Sequence, residues 1–189
     1  MKTYFRISAF LLAITCFAMA CKKKDNTNSS TQTIPFQGPQ NPSFENGSAA
    51  VATSWNGGWL RTSVVSPPMP MNGTYYMSTR ITKDTTLDLY QDNVDLSHST
   101  KLSFAWDIVC CPDNDTTTLY VLFSSNKIDT LWSKKWSWSS SFSGNDTIGS
   151  FGAAVNLPSL PIAGRLIFRA GYNVSSAYTV VGVDNITVQ

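Results

Sequence analysis

One glutamate stands among the 189 residues, Glu45, against eleven aspartates. It lies in Asn41-Pro42-Ser43-Phe44-Glu45-Asn46-Gly47, between an aromatic residue and an Asn-Gly turn signal. A lone carboxylate in that setting suits a structural task better than a catalytic one. Glycoside hydrolysis needs two carboxylates flanking the scissile bond. Here only the weak Asp88/Asp92 spacing puts two acids on one face of an expected strand. His98 is the single histidine and sits in Leu96-Ser97-His98-Ser99-Thr100, which reads as a solvated surface turn. A Ser-His-Asp triad would have to use it, and a zinc site would need it together with cysteines that lack a CxxC spacing. There is no Gly-rich phosphate loop. These absences predict a protein without enzyme activity.

Two other groups of residues suit binding. Cys110 and Cys111 are adjacent, and Cα atoms joined by one trans peptide lie about 3.8 Å apart, below the usual disulfide range. They form either a strained vicinal disulfide, a flat apolar surface next to a ligand, or two reduced thiols on opposite faces of a strand. Asp113-Asn114-Asp115 beside them reads first as a turn and second as a cation site. The aromatic residues are the stronger handle, because a sugar packs its apolar face on an exposed flat ring. Trp55 and Trp59 bracket the Asn56-Gly57-Gly58 turn, and at least one belongs to the core. Trp136 and Trp138 lie two apart in Lys134-Lys135-Trp136-Ser137-Trp138, so in an extended chain they share a face. The expected ligand-binding set is therefore Trp59, Lys135, Trp136, Trp138, Cys110 and Cys111. The alternative for the tryptophans is that they cap the edge of the core.

These residues need a scaffold, and the chain before it is not part of one. Lys2 and Arg6 precede an apolar run from Ile7 to Ala20, too short for an ordinary membrane span and typical of a secretory signal. It ends Phe17-Ala18-Met19-Ala20-Cys21, which resembles the lipobox of bacterial lipoproteins, with Ala18 where leucine is usual. That resemblance implies cleavage after residue 20 and acylation of Cys21, several acyl chains giving a stable membrane anchor. Residues 21–33 are charged, then Asn/Ser/Thr-rich, and read as a flexible tether. A cysteine followed by lysines and an acid is also similar to Bacteroidetes-type lipoproteins. The expected location is the outer membrane, lipid-anchored and facing the periplasm or the cell surface.

Residues 34–189 then form one domain. Beyond Asp25 there are nine basic and eleven acidic residues, a net charge of −2, which offers no basic face to nucleic acid. The segment is rich in Thr, Ser, Val and aromatic residues, and no stretch holds a helical period beyond about two turns. Strands are expected at Thr33–Phe36, Trp59–Val65, Thr74–Arg80, Thr86–Gln91, Leu102–Ile108, Thr118–Ser124, Ile128–Trp132, Ile148–Leu157, Arg165–Tyr172 and Tyr178–Val188. Lys134 to Asp146 reads as irregular. About ten strands separated by turns and no helix predict an all-β, antiparallel sandwich.

The order of motifs adds a resemblance. Asn-x-x-Phe-Glu-Asn-Gly is followed by a tryptophan, a Gly-Thr-Tyr-Tyr strand, Leu-Ser-Phe-Ala-Trp and Leu-Tyr-Val-Leu-Phe. An arginine-bearing Leu-Ile-Phe-Arg-Ala strand and a closing Val-Gly-Val-Asp-Asn-Ile-Thr-Val come last. Asn41 to Gln189 thus resembles the galactose-binding-like jelly rolls, which include MAM-type adhesion domains and carbohydrate-binding modules. The resemblance implies a glycan or a surface protein as partner. It also implies a structural calcium on Glu45 and Asp184, with backbone carbonyls around Asn41 to Gly47 completing the shell. Calcium takes six to eight oxygens, carboxylates and carbonyls mixed. Residue parity places Asp184 with Tyr178, Val180, Gly182, Ile186 and Val188, a mostly apolar face where a carboxylate needs a metal or several donors. The alternative is that both acids bond backbone amides with no metal.

Overall fold

Strands form where branched and aromatic residues alternate with Ser, Thr and Asp, because one face of each strand can then leave water. The computed structural model describes residues 36–63, 72–109, 116–137, 147–173 and 178–189, all within one unit, Ile34–Gln189. Five short strands come first: β1 (Phe36–Gln37), β2 (Gly47–Ser48), β3 (Val51–Ala52), β4 (Asn56–Gly57) and β5 (Leu60–Thr62). The long ones follow: β6 (Tyr76–Thr82), β7 (Thr86–Asp95), β8 (Lys101–Val109), β9 (Thr116–Ser124), β10 (Ile128–Ser137), β11 (Thr147–Asn156), β12 (Gly164–Asn173) and β13 (Tyr178–Val188). No helix occurs among the described residues.

Two sheets result. The first runs β1-β7-β12-β9-β10, with β4 also beside β7, and the second runs β11-β8-β13-β6-β5. The pairings are antiparallel except that of β1 with β7. The expected all-β antiparallel sandwich is the fold observed. Its core lies between the sheets. Leu102, Phe104, Trp106 and Ile108 of β8 and Val181, Val183 and Ile186 of β13 face Leu119, Val121 and Phe123 of β9 and Leu166, Phe168 and Ala170 of β12. Phe104 meets Phe168 edge-on across the layers at 5.3 Å between ring centroids, a geometry that adds to the area the rings bury. Between the sheets the Thr117 and Thr179 hydroxyls share a hydrogen bond of 3.1 Å, as buried polar groups are expected to.

The structure corrects several boundaries. Strand β6 starts at Tyr76 instead of Thr74, because the amides of Thr74 and Tyr75 are taken by the Glu45 carboxylate. Strand β10 continues through Lys134 and Lys135, which read as irregular, and pairs in register with β9 as far as Ser137. In β13 the register jumps between Asp184 and Thr187, with Asn185 at φ 50°. That bulge turns Ile186 back to the core and leaves Asp184 on the opposite face, so the parity expected for this strand does not hold.

Candidate functional site

The opening motif is the corner of the sandwich. Asn41 clamps its own loop: its Nδ2 donates to the carbonyls of Asn46 at 2.7 Å and Thr53 at 3.1 Å, and its Oδ1 accepts the Asn46 N–H at 3.0 Å. Phe44 is wholly buried, with φ 57°, and packs on Trp55 at 5.3 Å. Arg61 donates to the carbonyls of Phe44 and Glu45, each at 2.7 Å, and stacks on Tyr75. The Ile186 N–H donates to the Pro42 carbonyl, which ties the motif to the last strand.

Glu45 and Asp184 converge on one turn. Glu45 Oε1 accepts the N–H groups of Thr74 at 2.8 Å and Tyr75 at 3.0 Å. Asp184 accepts the N–H of Asn72 at 2.7 Å and that of Asn185 at 2.7 Å. Gly73 sits between with φ 75°, and a Cβ there would lie 2.3 Å from Glu45 Oε1. Both carboxylates are hard oxygen donors, the ligand type that calcium takes. The Asn41 backbone oxygen, the other expected ligand, accepts from the Phe44 N–H and from the Trp55 indole. Among the described residues no group of three or more His, Cys, Asp or Glu could hold a metal.

The expected stacking platform divides. Trp59 is only 4% exposed, and its indole N–H donates to the Leu87 carbonyl at 3.0 Å. It is a core residue and no ligand platform, because the turn before β5 directs it inward. Lys135 and Trp136 are neighbours in a strand and so point to opposite faces. Trp136 packs against Trp106 at 6.2 Å and Phe151 at 5.5 Å, with the Lys134 ammonium 5.8 Å from its ring. It closes the gap between edge strands β10 and β11, which is the core-capping alternative. Trp138, Cys110, Cys111, Asp113, Asp115 and the lipidation site Cys21 lie outside the described residues.

The outer face of the first sheet carries a set the sequence did not flag. Register aligns Asp88 of β7, Arg169 of β12, Tyr120 of β9 and Ser133 of β10 in one row across the strands. The next rows hold Tyr90, Ile167 and Leu122 on one side and Thr86, Gly171, Thr118 and Lys135 on the other. Arg169 grips Asp88 as a fork, Nε to Oδ1 at 2.7 Å and Nη2 to Oδ2 at 2.8 Å. Arg165 reaches Asp92 by one bond of 2.6 Å and lies 4.2 Å from the Tyr90 ring. These hydrogen bonds raise both arginines above their usual pKa. Asp88 and Asp92, met in the sequence as a weak acid pair, each take part in an ion pair here. Tyr120 is half-buried, and among the described residues no cation covers its ring. The signal for this set lay in the alternation Thr118, Tyr120, Leu122, which gives a central strand an outward aromatic.

The outer face of the second sheet holds a different oddity. Asp107 is 2% exposed, and neither carboxylate oxygen has a hydrogen-bond partner of good geometry. It lies over Gly182, where a Cβ would fall 2.0 Å from Oδ1, with the Tyr76 ring leaning in from the other side. Burial, and then the Asp184 charge, push its pKa up to about 7, while the amides of Gly182 and of Asp107 itself offset part of the rise. Tyr76 is pushed up to about 12 by burial and by Asp107, its bond with Ser78 acting the other way.

No family model matches the chain. No curated protein matches it either. Solved structures do. The chain is similar to the K1 adhesin domain of Lys-gingipain from Porphyromonas gingivalis W83, at 17% identity and TM-score 0.56 over 78% of this chain and 95% of that one. It is similar to TmCBM61, solved with β-1,4-galactotriose, at 12% identity and TM-score 0.53 over 81% of this chain and 97% of that one. It is also similar to the carbohydrate-binding module CBM28, specific for non-crystalline cellulose, at 11% identity and TM-score 0.55 over 82% and 97%. At such identities the likeness is one of fold: an all-β sandwich of the jelly-roll kind found in carbohydrate-binding modules and adhesin domains.

Proposed function

We propose that the domain is a non-catalytic carbohydrate-binding module and that it holds its glycan across the outer face of the first sheet. The observation that carries this is the row Asp88, Arg169, Tyr120 and Ser133. It sets the half-buried Tyr120 ring level with a fixed polar pair, so that one sugar face is packed while hydroxyls are bonded alongside. Four residues on neighbouring strands span about 14 Å, room for a short oligosaccharide. Lys135 borders the same face. The glycans named for the neighbouring structures supply the first test substances. Affinity electrophoresis through gels containing β-1,4-galactan or amorphous cellulose, with mannan added as a third neutral glycan, should retard the protein in at least one. Tyr120→Ala is expected to weaken that retardation tenfold or more, and Trp136→Ala to leave it. Retardation lost in Trp136→Ala and kept in Tyr120→Ala would move the site to the β10 edge.

A second role is favoured by β10 itself, an edge strand bearing the exposed Lys134 and Lys135. Edge strands pair with added strands, which suits an adhesion module with a protein partner. No glycan bound, with a partner recovered by pull-down, would select it.

The module is proposed to be a lipoprotein of the outer membrane, tethered through acylated Cys21. Labelled palmitate should enter the wild type and not Cys21→Ser. Calcium is a further, separable proposal: an ion held by the carboxylates of Glu45 and Asp184. EDTA is then expected to lower the melting temperature, and Glu45→Gln to lower it with and without chelator. A melting temperature indifferent to EDTA would leave the amide bonds as the whole staple.

A further inference from the structure

We infer that the polar depression beside Tyr90 is a subsite that reads one neutral sugar unit by a vicinal diol. The inference rests on the glycan-binding role proposed above. The depression has a volume of about 360 Å³ and is lined by Asp92, Asn93, Ser124, Ser125, Gly164 and Arg165, among others. It lies where three features meet at one end of the first sheet. Strand β7 bulges at Asn93, which has φ 61°. The turn from β9 to β10 closes with the Ser125 N–H donating to the Lys127 carbonyl. Strand β12 begins at Gly164, where a Cβ would strike the Phe123 ring at 2.4 Å, so the chain stays bare there.

The chemistry follows from how differently the two ion pairs of this face are built. The Arg169–Asp88 pair engages both carboxylate oxygens and two guanidinium nitrogens, so it offers a hydroxyl only the lone pairs and the one nitrogen that the fork leaves over. The Arg165–Asp92 pair is joined by a single bond, and its side chains are 44% and 54% exposed. One carboxylate oxygen and two terminal guanidinium nitrogens remain for another partner. A guanidinium only donates and a carboxylate only accepts, whereas a hydroxyl does both. Two neighbouring hydroxyls of a pyranose therefore match the pair, one accepting from Arg165 and the other donating to Asp92. The serine hydroxyls at the rim add adaptable partners. An acidic sugar fits worse, since its carboxylate would face Asp92. Arg165 rests on Tyr90, so a sugar drawing the guanidinium toward the depression also uncovers that ring for the next unit of the chain.

The test compares wild type, Asp92→Asn, Arg165→Gln and Tyr120→Ala by affinity electrophoresis in β-1,4-galactan, mannan and amorphous cellulose, with polygalacturonate as the acidic counterpart. Thermal melts run alongside and are expected to coincide for wild type, Asp92→Asn and Arg165→Gln, because the pair is exposed. The expected result is preference for a neutral glycan, with affinity reduced about tenfold in both Asp92→Asn and Arg165→Gln. Full retention in those two variants, with binding lost in Tyr120→Ala, overturns the subsite and leaves the glycan-binding face standing. Stronger retardation by polygalacturonate overturns the diol selectivity. A wild type retarded by no neutral glycan overturns subsite and face together.

Discussion

Asp107→Asn is expected to leave stability near pH 4 almost unchanged and to raise it by about 3–4 kcal/mol at pH 8. The sign follows from the proton count. The Asp107 carboxyl keeps its proton in the folded protein up to about pH 7, because burial and the Asp184 charge disfavour the ionised form. In the unfolded chain it ionises near its ordinary value. Between those limits the folded state binds the extra proton, so the contribution is fully present below the unfolded pKa. It is lost as pH rises and stays lost above about 7. Asparagine has the same shape and no charge to lose. Urea unfolding from pH 4 to pH 8, in EDTA so that no ion neutralises Asp184, should show wild-type stability falling and the variant flat by comparison. Among the described residues the charged and titratable groups that act on Asp107 are Asp184 and Tyr76, and neither supplies a compensating positive charge. Equal slopes for the two proteins would mean that Asp107 is ionised and satisfied in the folded state.

Which parts of this were readable from the chain depends on how far apart the partners are. Strand β13 emerged with the boundaries expected for it, Tyr178–Val188, and β8 within a residue at each end, since alternation along one strand is local information. The face of Asp184 was misjudged, because the bulge at Asn185 depends on a hydrogen bond to Pro42 some 140 residues earlier. Strand β10 was cut short for a related reason. Its second half is solvated on the outer face, and its inner face carries Lys134 between Trp132 and Trp136, so the apolar period fades where an edge strand meets water. Glu45 stood out by composition, and its carboxylate and that of Asp184 both hold the turn at Asn72 to Tyr75. Nothing local revealed that four backbone amides would receive the pair. The face with Tyr120 was hidden most deeply. Arg169 and Asp88 are 81 residues apart, and only the strand order β7-β12-β9 makes them neighbours of one ring.

Trp106→Ala is expected to cost about 3–5 kcal/mol, the range for truncating a large buried aromatic. Trp106 is 4% exposed, lies 4.9 Å from Phe151, 5.9 Å from Trp132 and 6.2 Å from Trp136, and joins β8 to the edge strands of both sheets. Removing it takes the shared contact from three half-buried rings at once, and no backbone there can close the void without breaking a ladder. Trp136→Ala should cost less, about 1–3 kcal/mol, because that ring is already partly in water. The two losses should not add. Rings in edge and tilted contact couple by about 0.5–1.5 kcal/mol, so the double variant is expected to fall short of the sum by that amount. Urea midpoints for the four proteins complete the cycle, and near-ultraviolet circular dichroism should lose the exciton signal of the tryptophan cluster in each variant. A Trp136→Ala protein with an unchanged midpoint would show that the ring is not part of the packing. It would then be free to serve as the sugar platform that its position in a Lys-Lys-Trp-Ser-Trp run suggests.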